Sequence, residues 1–440
     1  MNTDYTPRLM NRRHFLKLSS LAAAGFATGC AVNPVTGRHQ LMLVPEEKDI
    51  EIDRKYAPLQ FSADYGKLQD NALNRYINRT GLAIARHTHR PNMPYSFRGL
   101  NAVYMNAYAF PGGSIAITRG MLVELENEAQ LAAVLGHELG HVNARHTAQQ
   151  MTANMISQIV VNGVSLLSAS KGYGDLASQL GMLGKGVFLA SYSRDDERQA
   201  DELGMEYMVR AGYNPYGMVQ VMNILKEHSK HKQGLSETLF ANHPMSEERY
   251  ETALRRIRTK YHNVNSLRFY RKRFIFYTAN LRRKKHAIKE LQQGQEYTAE
   301  QQYAKAESMF MRALKEMPRD YAGLLMMAKL HLIKEEPRLA LPYAKMAKKV
   351  YPQEAQAFFI SGYTELKLKR YKDAYNDFER NERLLPGNPT VVFFKGYALE
   401  GMGKYDKAAR YYYRYLQQVN TGKFAKYAYS RLLQWGYLNQ

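Results

Sequence analysis

The chain of 440 residues has one cysteine and one tryptophan. A lone Cys30 excludes any intrachain disulfide, so packing, ion pairs or a metal must hold the fold. Acidic residues are scarce: 40 Asp+Glu against 62 Lys+Arg give a formal net charge of +22. That balance favours acidic partners such as anionic lipid, nucleic acid or a negatively charged protein. A long apolar run is also missing near the start. The stretch from Leu18 to Gly29 is too short for a comfortable membrane span. The length leaves room for two domains, each with its own core.

Asn11-Arg12-Arg13-His14-Phe15-Leu16-Lys17 stands before that short apolar stretch. Basic residues followed by a short apolar core describe a bacterial export signal. Arg12 to Lys17 resembles the twin-arginine signal, which exports folded proteins. Ala27-Thr28-Gly29-Cys30 resembles a lipobox, with Ala27 where Leu is usual. Residues 1–30 are therefore expected to be a leader, with Cys30 as the lipidation site. Ordinary cleavage after a small residue is the alternative. An acylated Cys30 would anchor the chain to a membrane without spanning it. The expected location is the periplasm, at the outer membrane.

The most informative stretch is His137-Glu138-Leu139-Gly140-His141. Asn127 is a plausible N-cap, and Leu131, Val134, Leu135, Leu139 and Val142 recur at helical spacing. On a helix, residues four apart share a face, so the two imidazoles point at one spot. Neutral imidazoles bind zinc, and Glu138 can reach a water held there. A catalytic zinc needs a third protein ligand. His146 falls one residue too early for the metzincin spacing, and Ala144 stands where a Gly would turn the chain. Glu197 and Asp201 lie four apart at the start of a later helix opened by Ser193. That spacing lets Glu197 bind metal while Asp201 orients a ligand imidazole. Without a partner site, the same residues would read as an acidic first turn favoured by the helix dipole.

Upstream, Pro111-Gly112-Gly113 predicts a turn and Ser114 to Thr118 a strand leaving it. A free edge on Ser114, Ile115, Ala116 and Ile117 could pair with an extended peptide through main-chain hydrogen bonds. Shorter strands are expected at Gln40–Val44, Tyr95–Phe97 and Ala102–Met105. Leu68, Ala72, Leu73, Tyr76 and Ile77 suggest one apolar helix face.

Four motifs occur in order: the Asn106-to-Gly113 turn, His137–His141, Glu197-Arg198-Gln199-Ala200-Asp201, and His243-Pro244-Met245-Ser246-Glu247-Glu248-Arg249. Together they resemble the gluzincin zinc metallopeptidases of the HtpX and CAAX prenyl protease type. Asn33-Pro34-Val35-Thr36-Gly37-Arg38 near the lipobox-like segment resembles the exported, BepA-like branch. The resemblance covers roughly residues 33 to 260. It implies one zinc ion between His137, His141 and Glu197, with Glu138 as general base and Asp201 behind a ligand. It implies that His243 and Arg249 stabilise the oxyanion. In the BepA-like branch a His at this motif can instead sit on the zinc and block the water site. The stretch from about Met151 to Ala190 would be a mobile cover over the site. The implied function is endopeptidase action on unfolded or misassembled envelope proteins, with outer-membrane assembly machinery as a partner. The competing reading is a chaperone or adaptor whose metal site is held inactive.

From about Gln292, small residues recur every 34 positions: Gly294, Ala328, Gly362 and Gly396, then Ala306, Ala340, Ala374 and Ala408. Pro318, Pro352 and Pro386 follow the same period. This is the tetratricopeptide pattern, in which stacked helix pairs bury faces that one pair cannot. Tyr427 to Trp435 would cap the array. Residues 263–291 are expected to be a basic linker helix. For an exported chain, anionic lipid or an acidic surface is a better partner than nucleic acid, and none of the latter is expected. The fold class expected is α+β and mostly helical. A zincin-type domain with a small sheet (31–262) precedes an all-α tetratricopeptide solenoid (292–440).

Overall fold

A computed structural model describes residues 30–42, 44–152, 192–230, 243, 246–264 and 266–438. The leader up to residue 29 lies outside the described residues. So does the expected cover beyond Thr152, up to residue 191.

Cys30 opens a short hairpin of β1 (Cys30–Val32) and β2 (His39–Leu41). Its turn forms because Asn33 Oδ1 accepts from the amides of Val35 and Thr36, and Gly37 takes a positive φ of 65°. Two helices follow, α1 (Glu46–Ala63) and α2 (Asn71–Ala85). Asp70 caps α2 by accepting from Leu73 N, and Leu73, Tyr76 and Ile77 face the core. Ala72 is exposed and Leu68 precedes the helix, so the apolar face expected there is completed by Ile84 and Ala85 instead.

Three strands form the sheet of this half: β3 (Ser96–Leu100), β4 (Ala107–Ala109) and β5 (Ser114–Thr118). Their order is β3-β5-β4, with β3 parallel and β4 antiparallel to β5. This corrects the expected free edge. Ser114, Ile115, Ala116 and Ile117 lie in the central strand, where both sides are already paired. The edge nearest the metal helix belongs to β4. Ala102–Met105 is a buried irregular segment rather than a strand. Its Val103 carbonyl accepts from Gln292 Nε2 instead of a sheet partner.

After the single turn α3 (Arg119–Leu122) comes α4 (Glu128–Ala144), every residue of which is buried. Asn127 caps it by accepting from Gln130 N. A helix buried on every side lies inside the core, so its polar side chains must find partners there. It packs on α5 (Arg194–Arg210), which Ser193 and Asp196 start with a reciprocal capping box. Glycines bring the two backbones together: a Cβ on Gly204 would stand 2.7 Å from His137 N, and one on Gly140 2.8 Å from Ala200 O. The domain closes with α6 (Tyr216–Lys230) and α7 (Glu247–Thr259).

The basic stretch 263–291 holds two helices, not one. α8 (Arg271–Arg283) ends before α9 (Lys285–Ala299) starts, and α9 already pairs with α10 (Tyr303–Glu316). Further pairs are α11 (Tyr321–Ile333) with α12 (Pro337–Val350), α13 (Gln356–Lys367) with α14 (Tyr371–Leu384), and α15 (Pro389–Gly401) with α16 (Tyr405–Leu416). α17 (Lys423–Gln434) packs on the last. The 34-residue period has a steric cause. Gly294, Gly362 and Gly396 lie against the rings of Phe310, Phe378 and Tyr412 from the partner helix. Ala306, Ala340, Ala374 and Ala408 are fully buried.

The two halves share one continuous core, running from Tyr65 to Leu432. Polar contacts reinforce it. Arg119 forms a bidentate pair with Asp320, and Gln356 Nε2 donates to the Ala63 carbonyl. Among the described residues no helix is long and apolar enough to cross a membrane.

Candidate metal centre

The close packing of α4 and α5 sets four side chains around one point. His137, His141, Glu197 and His243 each offer a ligand atom, all within 4.8 Å of one another and all buried. His137 Nε2 lies 3.1 Å from His141 Nε2. Glu197 stands 3.6 Å from His137 Nε2 through Oε2 and 3.3 Å from His141 Nε2 through Oε1. The structure thus brings the two histidines and Glu197 to one place.

The surroundings test whether a cation fits. Asp201 Oδ1 lies 3.0 Å from His137 Nδ1 and accepts its hydrogen, leaving the Nε2 lone pair facing inward. Gln199 Oε1 accepts from His146 Nε2, 2.9 Å away. The proton on that nitrogen leaves His146 Nδ1 to accept from His141 Nδ1, also at 2.9 Å. The His141 Nε2 lone pair then faces that of His137. Two lone pairs at 3.1 Å beside a carboxylate repel unless a cation lies among them. The donor set of imidazoles and a carboxylate suits zinc.

Arg249 departs from the role expected of it. Its Nε and Nη2 donate to Asp201 at 2.7 and 2.8 Å, and Nη1 lies 2.6 Å from Glu197 Oε2. The guanidinium thus clamps both carboxylates behind the site instead of standing ready for an oxyanion. Ser246, the N-cap of α7, accepts from Arg249 N and sets this position. Of the last motif, Pro244 and Met245 lie outside the described residues. His243 Nδ1 lies 2.9 Å from Glu197 Oε1 and 3.3 Å from His137 Nε2, so it stands as a fourth donor.

Electrostatics follow from burial and these charges. Burial pushes Glu138 above the ordinary carboxylate range, with His243 and His137 offsetting part of the rise. Its Oε2 has no hydrogen-bond partner, and Oε1 is 3.8 Å from His243 Nε2. Burial opposes ionisation of Glu197, but the imidazoles around it, His243 foremost, prevail and hold it low. Asp201 is likewise held low, against burial, by Arg249. Burial keeps His141 well below the usual imidazole value.

Beside Glu138 lies a cavity of about 50 Å³. Ala107, Met121, Val134, Met218, Met222 and Leu225 line it together with His137 and His243. Ala107 puts the β4 edge at this cavity. Ser114 to Ile117 do not line it, and Ile115, Ala116 and Ile117 are fully buried behind it.

Two contributors were not legible as such. Tyr192 stacks on His141 with centroids 3.8 Å apart, and Gln199 completes the proton chain through His146. Tyr192 sits one residue before the capping Ser193, and Gln199 two after Glu197, which is the only local signal either carries.

The sequence profile of Peptidase family M48 matches residues 71–257. The beta-barrel assembly-enhancing protease of Escherichia coli K12 is 28% identical over 194 residues, 43% of this chain and 40% of that protein. The match thus spans well under half the length of that relative. Metalloprotease YcaL of the same organism is 31% identical over 158 residues, covering 36% of this chain and 59% of the relative. Among solved structures, MamA is similar at 16% identity and a TM-score of 0.28, over 33% of this chain and 97% of that one. TTC0263, a thermophilic TPR protein of Thermus thermophilus, gives 22% and 0.30 over 34% and 83%. The repeat architecture stands on the helix pairs described above. Residues 71–257, which carry the buried ligand cluster and its supporting carboxylates, form a metallopeptidase domain of Peptidase family M48.

Proposed function

We propose that the protein is a zinc endopeptidase of the bacterial cell envelope that acts on misfolded outer-membrane proteins or aids their assembly. The observation that carries this reading is the buried cluster of His137, His141 and Glu197 with Glu138 beside it, whose Oε2 has no hydrogen-bond partner. His137, His141 and Glu197 would hold the ion. Zinc bound there supplies Lewis acidity, polarising a peptide carbonyl and making water easier to deprotonate. Glu138 accepts that proton and passes it to the leaving amine. Asp201 and Arg249 fix the orientation of His137 and Glu197. An extended substrate lies along β4 and places a side chain in the cavity next to Glu138. The envelope assignment draws on the matched relatives, of which one is named for beta-barrel assembly. Export by the Arg12-Arg13 signal and an anchor at Cys30 place the chain in the periplasm at the outer membrane. The repeat half recruits the substrate or docks on the assembly machinery.

His243 as fourth donor favours a second reading, in which the site is held closed and the chain acts chiefly as an adaptor. One comparison separates the two. Wild type, Glu138→Gln and His243→Ala are incubated with zinc and an unfolded outer-membrane protein, and fragments are mapped. Cleavage by wild type, faster cleavage by His243→Ala and none by Glu138→Gln support a peptidase with a gate. Equal assembly phenotypes for wild type and Glu138→Gln, with no cleavage, leave the adaptor.

A further inference from the structure

α2 and α8 are neighbours. The Tyr76 and Tyr277 rings stack with centroids 4.3 Å apart, and Arg79 Nη2 donates to Tyr277 Oη at 3.3 Å. The exposed stripe of α2 carries Arg75, Arg79 and Leu82, and the C-cap Arg86 continues it. That of α8 carries Lys272, Phe276 and Arg283. Helical spacing puts each set on one side of its own helix, and Arg79, reaching Tyr277 next to Phe276, joins the two stripes at their border. Phe276 is 74% exposed, more than any other large apolar side chain among the described residues.

The charge on this face is uncompensated. The carboxylates bordering α8 are already taken: Glu126 by Arg271 and Arg282, Glu128 by Arg273, and Glu124 by Lys285 and Lys289. Arg75, Arg79, Arg86, Lys272 and Arg283 pair with no carboxylate among the described residues. Five cations around a protruding Phe276 ring and a partly exposed Leu82 do not describe an ordinary solvated helix, which mixes signs and hides its rings.

We infer that the α2–α8 face docks on the surface of an anionic phospholipid bilayer. The cations meet lipid phosphates, and Phe276 and Leu82 enter the boundary between headgroups and acyl chains. A bilayer of this kind offers both at once, phosphates at the level of the cations and an apolar phase just beneath for Phe276. Docking here would hold the metallopeptidase domain against the membrane independently of any acyl chain on Cys30.

The test uses the full chain with Cys30→Ala, which removes both the lipidation site and the only thiol. Adding Phe276→Cys gives a unique position for an environment-sensitive fluorophore. Emission should shift to the blue on adding phosphatidylglycerol-containing vesicles and stay put with pure phosphatidylcholine. Flotation with the same vesicles should weaken roughly fivefold for each cation removed, and so by roughly 600-fold for Arg75→Gln/Arg79→Gln/Arg86→Gln/Lys272→Gln. All these positions are exposed, and circular dichroism checks that the variants are folded. Equal response to both vesicles, or unchanged flotation of the fourfold variant, overturns the inference. Binding to heparin without any response to vesicles also overturns it, and assigns the face to a soluble polyanion.

Discussion

Asp320→Ala tests how the two halves are joined. Arg119 Nη1 and Nη2 lie 2.6 and 2.9 Å from the two Asp320 oxygens, and the side chains are only 4% and 11% exposed. Asp320 Oδ1 also accepts from Gly323 N and so caps α11. Removing the carboxylate leaves a buried guanidinium without its counter-charge, which costs about 3–5 kcal/mol. Losing the cap adds about 1 kcal/mol. Asp320→Asn keeps the cap and isolates the charge effect. Arg119→Met removes the opposite charge, so the double variant should be less destabilised than the two singles together, with a coupling of about 2 kcal/mol or more.

The assay is urea unfolding followed by fluorescence of Trp435, the sole tryptophan, which packs on Tyr412 in the repeat half. A parallel circular dichroism trace reports on the whole chain. Arg119, overcoming burial, holds Asp320 below the usual range. Its contribution is therefore complete above the unfolded aspartate value of about 3.9 and fades as pH falls towards the lower folded value. Singles that add within about 0.5 kcal/mol would refute the claim that this pair joins the halves.

Three further outcomes are expected. Asp201→Asn weakens zinc binding about 10–100-fold, read by competition with a chromogenic chelator, while helix content stays unchanged. Gly204→Ala forces α5 away from His137 N, destabilises the fold by about 1–3 kcal/mol and lowers zinc affinity, whereas an exposed control such as Glu202→Ala does neither. Burial pushes the Lys329 ammonium down to about 7, against the pull of Asp64. The unfolded chain keeps that proton up to about 10.4, so stability should rise with pH between these values, and in Lys329→Met that slope should vanish.

Residues related by short spacing were legible. His137 and His141 lie on one turn pair, Glu197 and Asp201 on another, and the 34-residue period repeats a single steric contact. Each rests on geometry the chain repeats locally. What escaped was pairing between distant segments. Ser114–Thr118 reads the same as an edge or a central strand, because nothing in five residues says that Ser96–Leu100 will lie alongside in parallel. Arg249 failed for a similar reason. Its motif placed it at the site, but which carboxylate it would meet depends on the docking of α7 against α5. Spacing alone sets His146 aside as a ligand, and it does stand outside the ligand cluster. Its use to His141 emerges only once Gln199 is known to stand behind it.

The contacts between the halves bear on the site itself. Asp64 accepts from the hydroxyls of Tyr104 and Tyr108 at 2.8 and 2.5 Å and from Gln60 Nε2 at 3.0 Å. Tyr108 is the middle residue of β4, the strand whose Ala107 lines the cavity. Asp64 therefore pins the edge strand from behind. Lys329 of α11 enters from the repeat half, 4.5 Å over the Tyr65 ring, and its charge acts on Asp64. Beside it, Arg119 continues directly from β5 and is locked to the residue just before α11. One repeat helix thus holds both the central strand and the acid behind the edge strand. Breaking either buried contact leaves an uncompensated charge in the interior, at a cost of several kcal/mol. The repeat half and the metallopeptidase half are therefore joined by buried polar contacts as well as by the shared apolar core.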